Sequence, residues 1–126
     1  MRTQAVEDYL KTIYEAGRGD EPVSTSEIAE RLEVAPASAT GMVKKLDEMN
    51  LIEYERYKGV TLTEAGRKMA LEVIRHHRLV ELYLHEALHV PWDRVHEEAE
   101  KLEHVLSDYV EDRMDATLGH PTHDPH

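Results

Sequence analysis

The chain has 126 residues and a mass of 14.5 kDa, enough for one ordinary domain or two small lobes. It has no cysteine, which excludes disulfides and thiolate ligands, so any metal must be held by nitrogen and oxygen. A formal net charge of -11 argues against a nucleic-acid partner unless the charge is unevenly spread.

No apolar run approaches the ~18 residues of a membrane span, and the N-terminus has no charged stretch leading into an apolar one. A soluble, cytoplasmic protein is expected. Val6, Leu10, Ile13 and Tyr14 recur at helical spacing and Gly17 with Gly19 closes the segment, which predicts a first helix over about residues 4–17. Ser24 and Thr25 offer capping hydroxyls, and Glu27 completes a capping box with Ser24 ahead of Ile28, Ala29 and Leu32, so a second, short helix follows. Glu33-Val34-Ala35 is a tight connection. Pro36 suits the first turn of a third helix that runs to about Met49 and turns Ala39, Val43 and Leu46 inward. Asn50 ends it, and residues 51–62 alternate around a Lys58-Gly59 turn as a two-stranded wing would. Thr63 and Glu64 start a long helix to about Leu88, Pro91 interrupts, and residues 93–117 are expected as one last helix.

This order, three helices, a hairpin and a further helix, is that of a winged helix-turn-helix, a mainly α fold with a small β component (α+β). Residues 35–62 carry Lys44, Lys45, Arg56 and Lys58 against Asp47, Glu48, Glu53 and Glu55, a net of zero, so the excess of acid lies elsewhere. Ala37, Ser38, Thr40 and Gly41 are small or polar and face outward at the start of the third helix, where they would let a backbone approach DNA closely and offer hydroxyls to it. Lys44, Lys45, Arg56 and Lys58 would then bind phosphate. The competing reading is a small α+β domain whose helix-turn-helix touches no DNA.

His77 with Glu81, and His96 with Glu100, stand four residues apart, about 40° on a helix, so each pair shares a face. Glu100, Glu103 and His104 follow at i, i+3 and i+4. Such acids and histidines repel one another unless solvated, protonated or bridged by a cation. Spacing alone leaves both a solvated acidic face and a metal cluster open. The donor set suits Mn²⁺, Fe²⁺ or Zn²⁺ and disfavours Cu⁺.

The stretches Glu7-Asp8-Tyr9-Leu10, Ile28-Ala29-Glu30-Arg31-Leu32, His77-Arg78-Leu79 and His96-Glu97-Glu98-Ala99-Glu100-Lys101-Leu102-Glu103-His104 resemble the diphtheria-toxin-repressor family of iron- and manganese-dependent repressors. The likeness covers nearly all of the chain, in order. It implies a DNA-binding domain over residues 1–63, a helical dimerisation and metal-binding domain over 64–118, and a linker or tail over 119–126. It assigns Asp8, Glu100, Glu103 and His104 to a primary metal site, and His77, Glu81 and His96 to an ancillary one. Asp and Glu at positions 8 and 100 resemble the manganese-responsive branch, where the iron-responsive branch has Met and Cys. Two positions depart from that branch: Lys11 replaces a frequent Glu ligand, and His96 is more like the iron branch. The resemblance therefore implies Mn²⁺, with Fe²⁺ as the alternative, and a homodimer on a palindromic site in double-stranded DNA that represses metal-uptake genes. Residues 119–126 look like the family's linker into an SH3-like domain, and Pro and Gly there keep His120, His123 and His126 from forming a regular ligand face.

No enzyme is expected. His96-Glu97-Glu98-Ala99-Glu100 ends in Glu where a metalloprotease motif needs His, and Glu86-Ala87-Leu88-His89 is a single Glu-x-x-His where a di-iron bundle needs two. A metal-independent winged-helix regulator sensing a small molecule is the alternative function. Apolar rows comprising Leu79, Leu82, Tyr83, Trp92, Val95, Leu102, Leu106 and Val110 exceed what one thin helix pair can bury, which suggests a second copy as partner.

Overall fold

The computed structural model describes residues 3–103 and 105–119. These form α1 (Gln4–Ala16), α2 (Thr25–Leu32), α3 (Pro36–Glu48), β1 (Ile52–Glu55), β2 (Gly59–Leu62), α4 (Glu64–Glu86), α5 (Trp92–Glu103) and α6 (Asp108–Thr117). The architecture is mainly α with one two-stranded antiparallel sheet, a winged helix-turn-helix followed by helices. Two compact units, residues 1–72 and 73–126, divide the chain. No helix among the described residues is long and apolar enough to cross a membrane.

Local chemistry accounts for the first unit. Thr3 caps α1 by accepting from the Val6 N–H at 3.2 Å, and Ser24 caps α2 by accepting from the Glu27 N–H at 3.0 Å. Glu33, in the left-handed region at φ 56°, reverses the chain after α2, and Pro36 opens α3. Asn50, at φ 61°, leads out of α3 into the wing. There β1 and β2 pair from Ile52↔Leu62 to Glu55↔Gly59, and Val23 joins Val60 through two backbone hydrogen bonds of 2.9 and 2.8 Å. One face of each element packs inward, so Leu10, Ile13, Ile28, Val43, Leu46, Ile52 and Val60 share a fully buried apolar core.

Thr63 anchors α4 to this unit. Its hydroxyl donates to the Asn50 carbonyl at 2.8 Å and accepts from the Gly66 N–H at 3.0 Å. Gly66 is needed by contact rather than by conformation, since a Cβ there would lie 1.8 Å from the Leu51 carbonyl oxygen.

The last helix predicted over 93–117 is two helices, α5 and α6. Leu102, Leu106 and Val110 recur every four residues and mimic one continuous face. Ser107, however, takes an extended conformation and accepts from the Val110 N–H at 3.2 Å, which starts a new helix in which Asp108 and Glu111 occupy the first turn. The apolar rows also divide: Leu79 and Val95 are buried, whereas Trp92 and Val110 are exposed together with Leu88, Val105 and Tyr109.

Candidate functional site

His77 lies on α4 within the second unit and is buried, and its two ring nitrogens meet different groups. Nε2 is 3.2 Å from His96 Nδ1 and 3.3 Å from Glu81 Oε2, and His96 Nδ1 is itself 3.3 Å from Glu81 Oε2. Nδ1 is 2.9 Å from Glu103 Oε2 and 3.8 Å from Glu100 Oε1. An ionised carboxylate only accepts, so with its proton on Nδ1 the ring donates to Glu103 and offers Nε2 as a ligand, and with its proton on Nε2 it donates to Glu81 and offers Nδ1 instead. This is the arrangement in which an outer carboxylate orients a metal-binding imidazole.

Two groups of potential ligands result, His77-Glu81-His96 and His77-Glu100-Glu103, each with its donor atoms within 4.8 Å of one another. Donors held at about 2.0–2.2 Å from a common ion stand up to about 4 Å apart, so modest side-chain contraction suffices to hold a divalent cation. Burial grades across the cluster: the Glu103 side chain is 11% exposed, Glu100 40% and His96 70%, so access is from the His96 side. Nitrogen and oxygen donors without sulfur fit Mn²⁺, Fe²⁺ or Zn²⁺.

The site residues expected from the sequence therefore fall as follows. His77, Glu81 and His96 are brought together; Glu100 and Glu103 are brought to the other side of the same imidazole. Asp8 is half-buried on α1 in the first unit, and His104 lies outside the described residues, as do residues 120–126 with their three histidines. The role of His77 as the common corner was missed, because its contact with Glu103 depends on how α4 packs with α5 rather than on spacing along one helix.

A second buried acid, Glu111 of α6, was also missed. Its Oε2 is 3.3 Å from His76 Nδ1, and burial pushes its carboxyl above the ordinary range, with His76 opposing the rise and Asp108, Asp112 and Glu103 adding to it. The doubled histidine at 76–77 was the available signal, since adjacent helical residues point to different neighbours.

In the first unit, Ala37, Ser38, Gly41, Lys44 and Lys45 are exposed along α3 and Thr40 is half-buried. A Cβ added at Gly41 would meet nothing within 4 Å, so this stretch of α3 is open to close approach. Arg56 and Lys58 are exposed at the wing turn, and Lys58 Nζ lies 3.3 Å from Glu55 Oε2.

Comparison with known proteins agrees with this division. Residues 1–60 match the N-terminal DNA-binding domain of the iron-dependent repressors, and residues 63–126 match their metal-binding and dimerisation domain. An uncharacterised HTH-type transcriptional regulator of Methanocaldococcus jannaschii is 38% identical over 113 residues, 89% of this chain and 90% of that protein. The iron-dependent repressor of Mycobacterium leprae is 37% identical over 119 residues, 94% of this chain and 52% of its own length. Among solved structures, a manganese-dependent transcriptional repressor in complex with manganese superposes with a TM-score of 0.82 at 44% identity, over 96% of this chain and 56% of that one. The chain thus spans about half the length of the Mycobacterium repressor and of the manganese-bound structure, and nearly all of the Methanocaldococcus protein. With both halves matched in order, the chain belongs to the iron-dependent repressor family, which includes the diphtheria toxin repressor.

Proposed function

We propose that the chain is a cytoplasmic, divalent-metal-activated transcriptional regulator, not an enzyme, that binds a palindromic operator in double-stranded DNA as a homodimer and represses metal-uptake genes. The observation that carries this reading is the buried His77 joining two His/Glu ligand groups, on the same chain as a helix-turn-helix with an open outer face. The names of the Mycobacterium and manganese-bound relatives support it. In this reading residues 1–63 bind DNA, residues 64–118 bind metal and dimerise, and 119–126 form a tail. The exposed Leu88, Trp92, Val105 and Tyr109 of the second unit supply apolar surface for the second copy.

Mn²⁺ is the favoured metal and Fe²⁺ the alternative. Asp8, Glu100, Glu103 and His104 form the primary ligand set, and His77, Glu81 and His96 the ancillary one. Mn²⁺ is the weakest binder of the divalent series and gains most from anionic oxygens, which Asp8 and Glu100 provide. A bound cation supplies the positive charge that lets these carboxylates sit together. Metal binding would then bias paired recognition helices towards the spacing of successive major grooves, about 34 Å. A coupling of ~1–3 kcal/mol changes DNA affinity ~5–150-fold.

The test is selection of genomic DNA fragments by chelator-stripped protein, with and without Mn²⁺, with anaerobic Fe²⁺ and Zn²⁺ in parallel. A palindrome enriched only with metal is expected, and Asp8→Ala should lose that dependence while keeping its helical circular dichroism. Equal enrichment without metal would favour the small-molecule-sensing alternative.

A further inference from the structure

The excess of acid reaches the DNA reader itself. Residues 1–72 hold ten Lys and Arg against fourteen Asp and Glu, a net of −4, so the first unit has no long-range attraction for DNA. Local geometry does not reverse the sign. The first helix of a helix-turn-helix crosses the phosphate backbone. Here the N-terminal end of α2 opens into a surface hollow lined by Ser24, Ser26, Glu27, Glu30 and Arg31. Arg31, the single cation among these, is already engaged, its Nε 3.0 Å from Glu27 Oε2, whereas Glu30 is exposed. The wing repeats the pattern: Glu53 and Glu55 are exposed on β1, and Lys58 is held by Glu55 at 3.3 Å.

Few cations are left for phosphate. Lys44 and Lys45 on α3 and Arg56 in the wing have no ion pair among the described residues. Three contacts per protomer make six in a dimer, and counterion release from six phosphates lowers log K by about 5 for each tenfold rise in salt. Carboxylates brought against phosphate act in the opposite direction. They deepen the local negative potential, so cations that phosphate contact would set free stay in the complex. Glu27 and Glu55 are neutralised by Arg31 and Lys58, but Glu30 and Glu53 are exposed, so a dimer sets four such carboxylates against its six contacts. The net release is then that of about two phosphates.

We propose that this chain binds its operator together with much of the DNA's cation atmosphere, held by Glu30 and Glu53, so that the complex withstands high salt. This rests on the DNA-binding reading above. The experiment titrates the full chain, with Mn²⁺ saturating, into a labelled duplex recovered by the selection, over a tenfold range of KCl. Fluorescence anisotropy should give a slope of log affinity against log salt of about −2, a loss of about a hundredfold, where six uncompensated contacts would lose about 10⁵-fold. Glu30→Gln combined with Glu53→Gln should bind more tightly at low salt and steepen the slope to about −5, with the thermal midpoint unchanged. The same loss of two charges in the second unit, Glu86→Gln with Glu97→Gln, should leave the slope near about −2. A slope steeper than about −3 in the unsubstituted chain overturns the proposal alone, as does a Glu30 and Glu53 variant whose line runs parallel to it, or equal steepening by the Glu86 and Glu97 variant. Failure of the unsubstituted chain to bind any duplex at any salt with metal present overturns the regulator reading and this proposal with it.

Discussion

The interior of the first unit is apolar from Val6 to Ala70, whereas the second unit sets a small cluster of Val80, Leu84, Ala99 and Met114 beside buried His77, Glu111 and Asp115. Every buried polar or charged residue among those described falls in the second unit. Apolar burial stabilises by about 25 cal/mol per Å² without help from solution conditions. Buried ionisable groups stabilise only when paired, neutralised or metal-bound, so the interior of the second unit answers to protons and cations where that of the first does not. A DNA reader with a self-sufficient core, joined to a condition-dependent partner, is a suitable arrangement for a sensor.

The strongest way to break this contrast is inside the first core. Leu46, fully buried on α3, should cost about 2–5 kcal/mol when replaced in Leu46→Ala, by the loss of transfer energy and the cavity left behind. Urea denaturation should give the same penalty with and without Mn²⁺. A penalty that disappears on adding metal would mean that the two interiors do not draw on separate sources of stability.

A middle-sized effect tests the second unit. Metal at about a hundred times its dissociation constant raises stability by ~2.7 kcal/mol when only the folded state binds. His77→Ala removes a ligand of the ancillary set and the neighbour of Glu103, leaving the primary set in place, and should forfeit part of that gain, measured as the Mn²⁺-induced rise in thermal midpoint. Glu81→Gln touches only the His77-Glu81-His96 group and should forfeit less. Full metal stabilisation in His77→Ala would show that the His77-Glu81-His96 group is a solvated polar cluster and not a binding site.

The parts of this architecture that depend on neighbours along the chain were legible before the structure. The cap at Ser24, the helix start at Pro36, the exit at Asn50 and the alternation of the wing are set within a few residues, as are the shared faces of His77 with Glu81 and His96 with Glu100, although the wing turns at Arg56-Tyr57 and not at the expected Lys58-Gly59. Packing decided the rest. The break between α5 and α6 is hidden because Leu102, Leu106 and Val110 keep a helical period straight through it, and the Ser107 cap wins only because the chain turns there. The contact of His77 with Glu103 joins residues 26 apart, and that of His76 with Glu111 joins α4 to α6, so neither leaves a periodic trace. Tyr57 looks like any strand tyrosine until its φ is known.

The subtlest of the expected effects concerns Glu111. Burial is the largest cause holding its carboxyl above the ordinary value of 4.5, and the nearby acids Asp108, Asp112 and Glu103 reinforce it against the opposing pull of His76. An acid whose folded pKa is raised binds its proton more tightly in the folded state than in the unfolded one. Its contribution to stability is therefore fully present below the unfolded pKa and is lost as pH climbs through the raised folded value, beyond which the cost of the buried charge is constant. Glu111→Gln carries no charge at any pH and keeps an amide to face His76. In chelator-treated protein its thermal midpoint should exceed that of the unsubstituted chain at neutral pH, and the difference should shrink to nothing as pH falls below the ordinary carboxylate range. A variant less stable at neutral pH would mean that the 3.3 Å contact with His76 outweighs burial, and the second unit would then owe more to an internal ion pair than to protonation.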